Sequence, residues 1–110
     1  MLDNIITSLK PKTKPTLQSV LNFIDDNDLK SINVFDFHTF DKILRKRYYK
    51  NFSNETEYSN WKSYLLSCIK TGDCLSICVS PEGGRYKIVD GYARAIGHLV
   101  CGIEANVMIV

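Results

Sequence analysis

Apolar positions follow a loose pattern in the first half of the chain and a sharp one in the second. A helical stripe comes first, at Leu17, Val20, Leu21 and Ile24. Such spacing is typical of an amphipathic helix. The acidic run 25–28 follows, and we expect it just beyond the helix because acids oppose the dipole at a helix C-terminus. Pro11 and Pro15 make residues 10–15 a linker. Residues 1–33 are therefore predicted to form a helical N-terminal extension.

The middle of the chain predicts a strand and two helices. Residues 32–37 are rich in β-branched and aromatic side chains, which favours a short strand. Residues 41–50 predict a short basic helix. A longer helix follows, which Ser53 or Asn54 can cap and Gly72 can end. Its predicted inward face consists of Tyr58, Trp61, Leu65, Cys68 and Ile69.

The second half of the chain has clear turns between its apolar runs. Strands are predicted at 75–79 and 86–89, and the turn 81–84 between them contains two glycines, which take the positive φ that tight hairpins need. A helix follows up to Gly102, and 106–110 is a last strand. The helix buries one face, formed by Ala93, Ile96, Gly97 and Val100. This order predicts a single small α/β domain over residues 34–110, with helices packed on a mixed sheet.

Composition limits the function classes. The chain has 110 residues and a net charge of +2, which suits one globular domain and does not indicate bulk nucleic-acid binding. No apolar run approaches the ~20 residues of a membrane span, and the N-terminus lacks the basic region of a signal peptide. The four cysteines form no C-x-x-C pair and have no histidine at ligand spacing. We therefore expect reduced thiols, a cytoplasmic location and no metal site.

A strand that leads through a glycine turn into a helix is the most informative feature for chemistry. Gly91 allows close backbone approach to an anion, and the helix after it presents free N–H groups. Arg94 can bind phosphate oxygens with its planar fork, and His98 lies four residues further on the same face. Asp90 is expected to cap the helix. The pattern predicts a phosphate cradle, although a capped helix with a surface arginine would have the same sequence.

Five stretches place this turn in a wider context. They are Ser67–Gly72, Ile77–Pro81, Tyr86–Ala95, Cys101–Ile103 and Val107–Val110. Their order and gaps resemble the ParB/sulfiredoxin-like domain, in which a helix ends in Ser-Ile-x-x-x-Gly and a strand enters Asp-Gly-x-x-Arg. The resemblance covers about 45 residues, and the first 50 residues do not align.

The resemblance implies a nucleotide or another phosphate-bearing small molecule as ligand. Family members bind such ligands at the Gly-x-x-Arg turn, which assigns Gly91 and Arg94 to phosphate contact, with Asp90 and Tyr92 beside them. It places Ser67 and Gly72 near the base or sugar. CTP or ATP with Mg²⁺ is the implied ligand, and hydrolase or kinase activity is the implied chemistry.

Two departures from the family change this expectation. Tyr92 stands where sulfiredoxins have their reactive cysteine, so we expect no sulfiredoxin activity. The sequence Gly91-Tyr92-Ala93-Arg94 replaces the Gly-Glu-Arg-Arg of partition proteins, so selectivity for CTP does not follow.

The basic helix supports an alternative function. Its five cations, with Tyr48 and Tyr49 among them, are Lys42, Arg45, Lys46, Arg47 and Lys50. Cations and aromatic rings together suit single-stranded nucleic acid, although a solvated helix face has the same composition. The alternative is therefore a small phage- or plasmid-type interaction protein. It would bind DNA, another nucleic acid or a host protein and keep only a vestigial pocket.

Overall fold

The computed structural model describes residues 15–110. The part of the predicted extension and linker that falls on residues 1–14 lies outside the described residues. Five α-helices and three strands follow in chain order, with short 3-10 turns at Leu21–Phe23 and Tyr49–Asn51. The helices are α1 (Leu17–Val20), α2 (Asn27–Ser31), α3 (Phe37–Tyr48), α4 (Glu55–Thr71) and α5 (Tyr92–Cys101). The strands are β1 (Ile77–Glu82), β2 (Arg85–Asp90) and β3 (Val107–Ile109).

The three strands form a mixed sheet in the order β2-β1-β3. β1 pairs antiparallel with β2 and parallel with β3. Gly83 and Gly84 both have positive φ, 58° and 80°, as the tight turn between β1 and β2 requires. The predicted α/β class and the order of the last five elements are confirmed.

Helix α5 lies at the centre of the fold. Every residue from Ala95 to Val100 is buried, and the helix packs against α4, α3, α2 and β1. Gly102 (φ 68°) ends α5, and Gly72 (φ 81°) ends α4, as the sequence predicts. Asn54 caps α4 by accepting a hydrogen bond from the Glu57 N–H at 2.9 Å.

Residues 15–33 pack into the same core as the rest of the domain. The Leu17 N–H donates to the Ala105 carbonyl at 2.9 Å. Five side chains of this segment are buried, namely Leu17, Val20, Ile24, Leu29 and Ile32. The boundary at residue 33 stays a prediction, because residues 1–14 are not described. The acidic run lies beyond α1 as expected, and it also begins α2, since the Asp26 carboxylate accepts from the Leu29 N–H at 3.0 Å.

The strand predicted at 32–37 is wrong. This segment is a turn, in which Phe35 has a φ of 67° and Asp36 accepts a hydrogen bond from the Thr39 N–H at 3.1 Å. That cap begins α3 at Phe37, four residues before the predicted start of the basic helix at residue 41. β-branched and aromatic composition favours a strand only where a neighbouring strand can pair with it, and the described sheet has none at this position.

The Asp41 carboxylate lies between α3 and α4 and accepts hydrogen bonds from three side chains. One oxygen of Asp41 accepts from the Tyr58 hydroxyl at 2.8 Å and from Lys62 Nζ at 2.7 Å, and the other accepts from Arg45 Nε at 2.7 Å. Burial alone would raise the pKa of Asp41, but these hydrogen bonds outweigh it and lower the pKa to about 2. The charged form of Asp41 therefore ties α3 to α4.

We expect Asp41→Asn to lower the free energy of unfolding at pH 7 by about 1–3 kcal/mol, because Lys62 loses its carboxylate partner. The folded pKa of Asp41 is below the unfolded value of 3.8. Its contribution is therefore full above about pH 4 and is lost as the pH falls to about 2. Urea unfolding from pH 7 to pH 2 measures this difference.

Asp25→Asn is the matched control, because its carboxylate forms an exposed pair with Arg85 and should contribute less than about 1 kcal/mol. Equal stability of Asp41→Asn and the wild type at pH 7 would contradict the prediction.

Candidate functional site

The turn between β2 and α5 has the predicted geometry. β2 ends at Asp90, Gly91 has φ 93° and ψ 29°, and α5 begins at Tyr92 with no side chain of the described residues capping it. The expectation that Asp90 caps the helix is wrong. Gly91 itself occupies the cap position, so Asp90 lies one residue too early and reaches Arg94 instead, at 3.5 Å.

The Arg94 guanidinium folds back over Gly91. A Cβ atom added at Gly91 would lie 2.8 Å from Arg94 Nη2. This Nη2 has two long contacts, 3.3 Å to the Ser76 carbonyl and 3.5 Å to Asp90, and the buried Nε has no partner among the described residues. The side chain is 22% exposed. Arg94 is therefore a largely buried cation with weak internal partners.

Arg94 lies at one end of a groove of about 330 Å³, which we call the Arg94 groove. Its lining residues are Trp61, Tyr64, Leu65, Cys68, Asp73, Cys74, Leu75 and Arg94. Tyr64 and Leu75 are more than two-thirds exposed, whereas Tyr58 is fully buried. Of the aromatic residues on α4, Tyr58 is thus core, and Trp61 and Tyr64 line the groove. The groove combines a cation with aromatic and aliphatic walls.

Tyr48 is a residue that the sequence analysis missed at this site. Its hydroxyl contacts the backbone of Ala93 in the first turn of α5, and burial raises its pKa. Its ring packs against Trp61, with 5.3 Å between ring centroids. In the sequence Tyr48 is one of two tyrosines in a basic run, and only the packing of α3 on α5 assigns it to the helix N-terminus.

His98 does not share the groove with Arg94, and the expectation that it does is wrong. It is buried, and its Nδ1 lies 3.0 Å from the Ile103 carbonyl. Burial lowers the pKa of His98, so the ring is neutral, and Nδ1 carries the proton because a carbonyl can only accept. The four-residue spacing does place Arg94 and His98 on the same face of α5. The protein core, however, covers that face at His98.

The other family-implied residues are spread over separate surfaces. Ser67 is exposed on α4 and does not line the Arg94 groove. Gly72 lines a separate depression of about 170 Å³, together with His98 and Ser76. The structure therefore brings Asp90, Gly91 and Arg94 together and keeps Ser67 and Gly72 outside the groove.

Tyr92 faces the opposite side of the α5 N-terminus. It lines a larger cleft of about 450 Å³, the Tyr92 cleft, which also contains Arg85 and Lys87. Its hydroxyl donates to the Asp26 carboxylate at 3.2 Å, and the Arg47 guanidinium lies 3.6 Å from its ring centroid. Burial raises the pKa of Tyr92. Tyr92 therefore joins α5 to α2 and α3, and it does not line the Arg94 groove.

Three of the five cations of the basic helix are paired within the chain. Arg45 binds both Asp41 and Glu55. Lys46 lies 3.2 Å from Asp28, and Arg47 lies 3.4 Å from Asp26. Within residues 15–110, Lys42 and Lys50 have no carboxylate oxygen within 4 Å. The charge available to a nucleic acid is therefore smaller than the sequence indicates.

Between residues 15 and 110, no three histidine, cysteine or acidic side chains come close enough together to hold a metal ion. No helix in that range combines the length and the apolar character needed to cross a membrane.

A scan against protein-family models and searches of the curated proteins and of the solved structures find no match to this chain. The resemblance to the ParB/sulfiredoxin-like domain therefore stays a prediction that rests on the motifs.

Replacement of Gly91 tests the contact with Arg94. Gly91→Ala should destabilise the fold by about 1–3 kcal/mol, since the left-handed backbone is strained for alanine and the new Cβ displaces the guanidinium. Gly84→Ala has a similar φ and open space around it, so it measures the backbone strain alone. Thermal unfolding of both variants gives the difference, and equal losses would contradict the contact.

The ion pairs also change the expected salt dependence of nucleic-acid binding. Five phosphate contacts would give a log–log slope of about −3.5 to −4.5, but the two unpaired lysines predict about −1.4 to −1.8. Titration of a fluorescent oligonucleotide at several salt concentrations measures this slope. Lys42→Ala with Lys50→Ala should remove it, and a slope of the five-contact size would show that the ion pairs open on binding.

Proposed function

We propose that this protein binds a nucleotide or a similar phosphate-bearing small molecule in the Arg94 groove. The observation that carries the proposal is the state of Arg94, a largely buried guanidinium whose Nε has no partner among residues 15–110 and whose Nη2 makes only long contacts there. A buried donor without a partner costs about 1–3 kcal/mol. An anionic ligand would relieve that cost, and the charge-assisted bonds would be strong because they form away from bulk water.

The N-terminus of α5 supports binding of a phosphate at the same place. Among the described residues no side chain caps it at the Gly91 position, and free N–H groups together with the helix dipole favour an anion. The Ala93 N–H of this turn is already in contact with the Tyr48 hydroxyl. The raised pKa of Tyr48 keeps the hydroxyl protonated, so it can donate its own proton to a ligand oxygen.

The walls of the groove suit a planar group. Trp61 and Tyr64 lie along it, and a base that stacks on an aromatic side chain gains about 1–3 kcal/mol. A volume of about 330 Å³ is at the lower end of small-molecule sites. We therefore propose a single nucleotide as the ligand class, with CTP and ATP as the probes that the family resemblance suggests.

Magnesium would reach the site with the nucleotide. Mg²⁺ prefers phosphate oxygens, water and one or two carboxylates, and the exposed carboxylate of Asp90 lies beside Arg94. No group of three ligating side chains exists among the described residues, so phosphates would supply most of the coordination. The proposal covers binding and includes a cytoplasmic location, which free thiols suit.

Arg94→Ala should weaken nucleotide binding about ten- to a hundredfold, as expected for the loss of a charge-assisted bond of about 1.5–3 kcal/mol. Trp61 is the only tryptophan in the chain and lines the groove. Its fluorescence therefore reports occupancy directly during titration with CTP, ATP or pyrophosphate, with and without Mg²⁺. Calorimetry on the same samples gives the affinity.

Two control variants separate the role of Arg94 from charge and folding. Arg94→Lys should recover part of the affinity, because a single ammonium cannot make the bidentate contact. Lys50→Ala removes an exposed cation outside the groove and should leave binding unchanged. A wild-type protein that binds none of the probes at millimolar concentration would overturn the proposal and favour the interaction-protein alternative.

A further inference from the structure

Cys68 and Cys74 lie close together at the C-terminal end of α4. Gly72 turns the chain back, and the Asp73 N–H donates to the Cys68 carbonyl at 2.9 Å. This hydrogen bond closes a Schellman motif, which returns the following residues over the last turn of the helix. Cys74 therefore comes back beside Cys68, although six positions separate them in the sequence.

The two side chains share one environment. Both are free and half-buried, and both line the Arg94 groove. The Cys68 thiol lies close enough to Cys74 to raise the pKa of the Cys74 thiol. Cys78 and Cys101 are also half-buried but do not line the groove. The chain thus holds one adjacent thiol pair and two separate thiols.

We propose that Cys68 and Cys74 form a redox-active thiol pair, which a hydroperoxide oxidises to an intramolecular disulfide in the wall of the Arg94 groove. The groove supplies access to the solvent, and the return of the chain at Gly72 supplies proximity. A disulfide needs Cα atoms roughly 4.4–6.8 Å apart, and the 2.9 Å hydrogen bond from the Asp73 N–H to the Cys68 carbonyl brings the chain back over Cys68 directly before Cys74.

The reaction has two steps. The Cys68 thiolate attacks one peroxide oxygen, the S–O bond forms, the O–O bond breaks, and the other oxygen leaves as water or as an alcohol. The Cys74 sulfur then attacks the Cys68 sulfenic acid, the S–S bond forms, and the hydroxyl group leaves as water with the Cys74 proton. Two electrons pass from the thiol pair to the peroxide.

The environment assigns the two roles. Burial raises the pKa of the Cys74 thiol, and the neighbouring Cys68 raises it further. A thiol with a raised pKa is a poor first nucleophile at neutral pH, since only the thiolate attacks peroxide. Cys68 is therefore the attacking residue, and Cys74 is the resolving one.

Treatment of the folded protein with hydrogen peroxide, followed by thiol titration in denaturant, tests the proposal. The count of free thiols should fall from four to two without cross-linked dimers. Trypsin releases Cys68 in the peptide 63–70 and both Cys74 and Cys78 in the peptide 71–85, so tandem mass spectrometry must identify the bonded cysteine. Oxidation needs no nucleotide, so its failure is separate from a failure of the proposed function.

The cysteine variants serve as matched controls. Cys78→Ser and Cys101→Ser should still lose two thiols, whereas Cys68→Ser and Cys74→Ser should form no intramolecular disulfide. Phenylarsine oxide, which bridges neighbouring thiols, gives a second measurement on the wild type and should protect Cys68 and Cys74 together. Four free thiols after excess peroxide, or a disulfide that includes Cys78 or Cys101, would overturn the proposal.

Discussion

The packing of α4 on α5 at Gly97 is the contact around which the Arg94 groove is built. A Cβ atom at Gly97 would overlap Ile69 Cδ1, so the two helices meet here with no α5 side chain between them. Ile69 lies in the last turn of α4, so this contact holds the C-terminal end of α4 against α5. Gly72 then reverses the chain, and the three residues that follow it, Asp73, Cys74 and Leu75, line the Arg94 groove. Arg94, from the first turn of α5, lines the same groove.

A central helix with so much buried surface also restricts how the chain enters and leaves it. Gly91 and Gly102 both take left-handed conformations at its ends, so neither flanking segment continues along the helix axis. At the N-terminus this turn leaves no place for a capping side chain, and Arg94 folds back over the glycine. A buried hydrogen-bond donor without a full set of partners lowers the stability of the fold, and proteins commonly retain such destabilising groups at functional sites.

Local signals in the sequence predict the second half of the fold well. Glycine turns and apolar runs define β1, β2, α5 and β3, and the Gly91 turn with Arg94 beside it could be located from the sequence alone. The predictions that were wrong depend on contacts with residues elsewhere in the sequence. His98 is buried because the segment at Ile103 covers it, and Arg47 is paired because Asp26 returns to it. Periodicity reports which face of a helix is apolar, but it does not report what covers a polar residue.

Neighbouring carboxylates, and not volume, distinguish the two concave surfaces at the start of α5. Each surface has one arginine whose buried Nε makes no hydrogen bond within the described residues, Arg85 in the Tyr92 cleft and Arg94 in the groove. Arg85 Nε nevertheless lies 2.7 Å from the Asp25 carboxylate, whereas the nearest carboxylate to Arg94, that of Asp90, is 3.5 Å away. The Tyr92 cleft is larger, but three acidic residues line it, namely Asp25, Asp26 and Glu82. An anion would therefore compete with fewer and more distant carboxylates beside Arg94 than in the larger cleft.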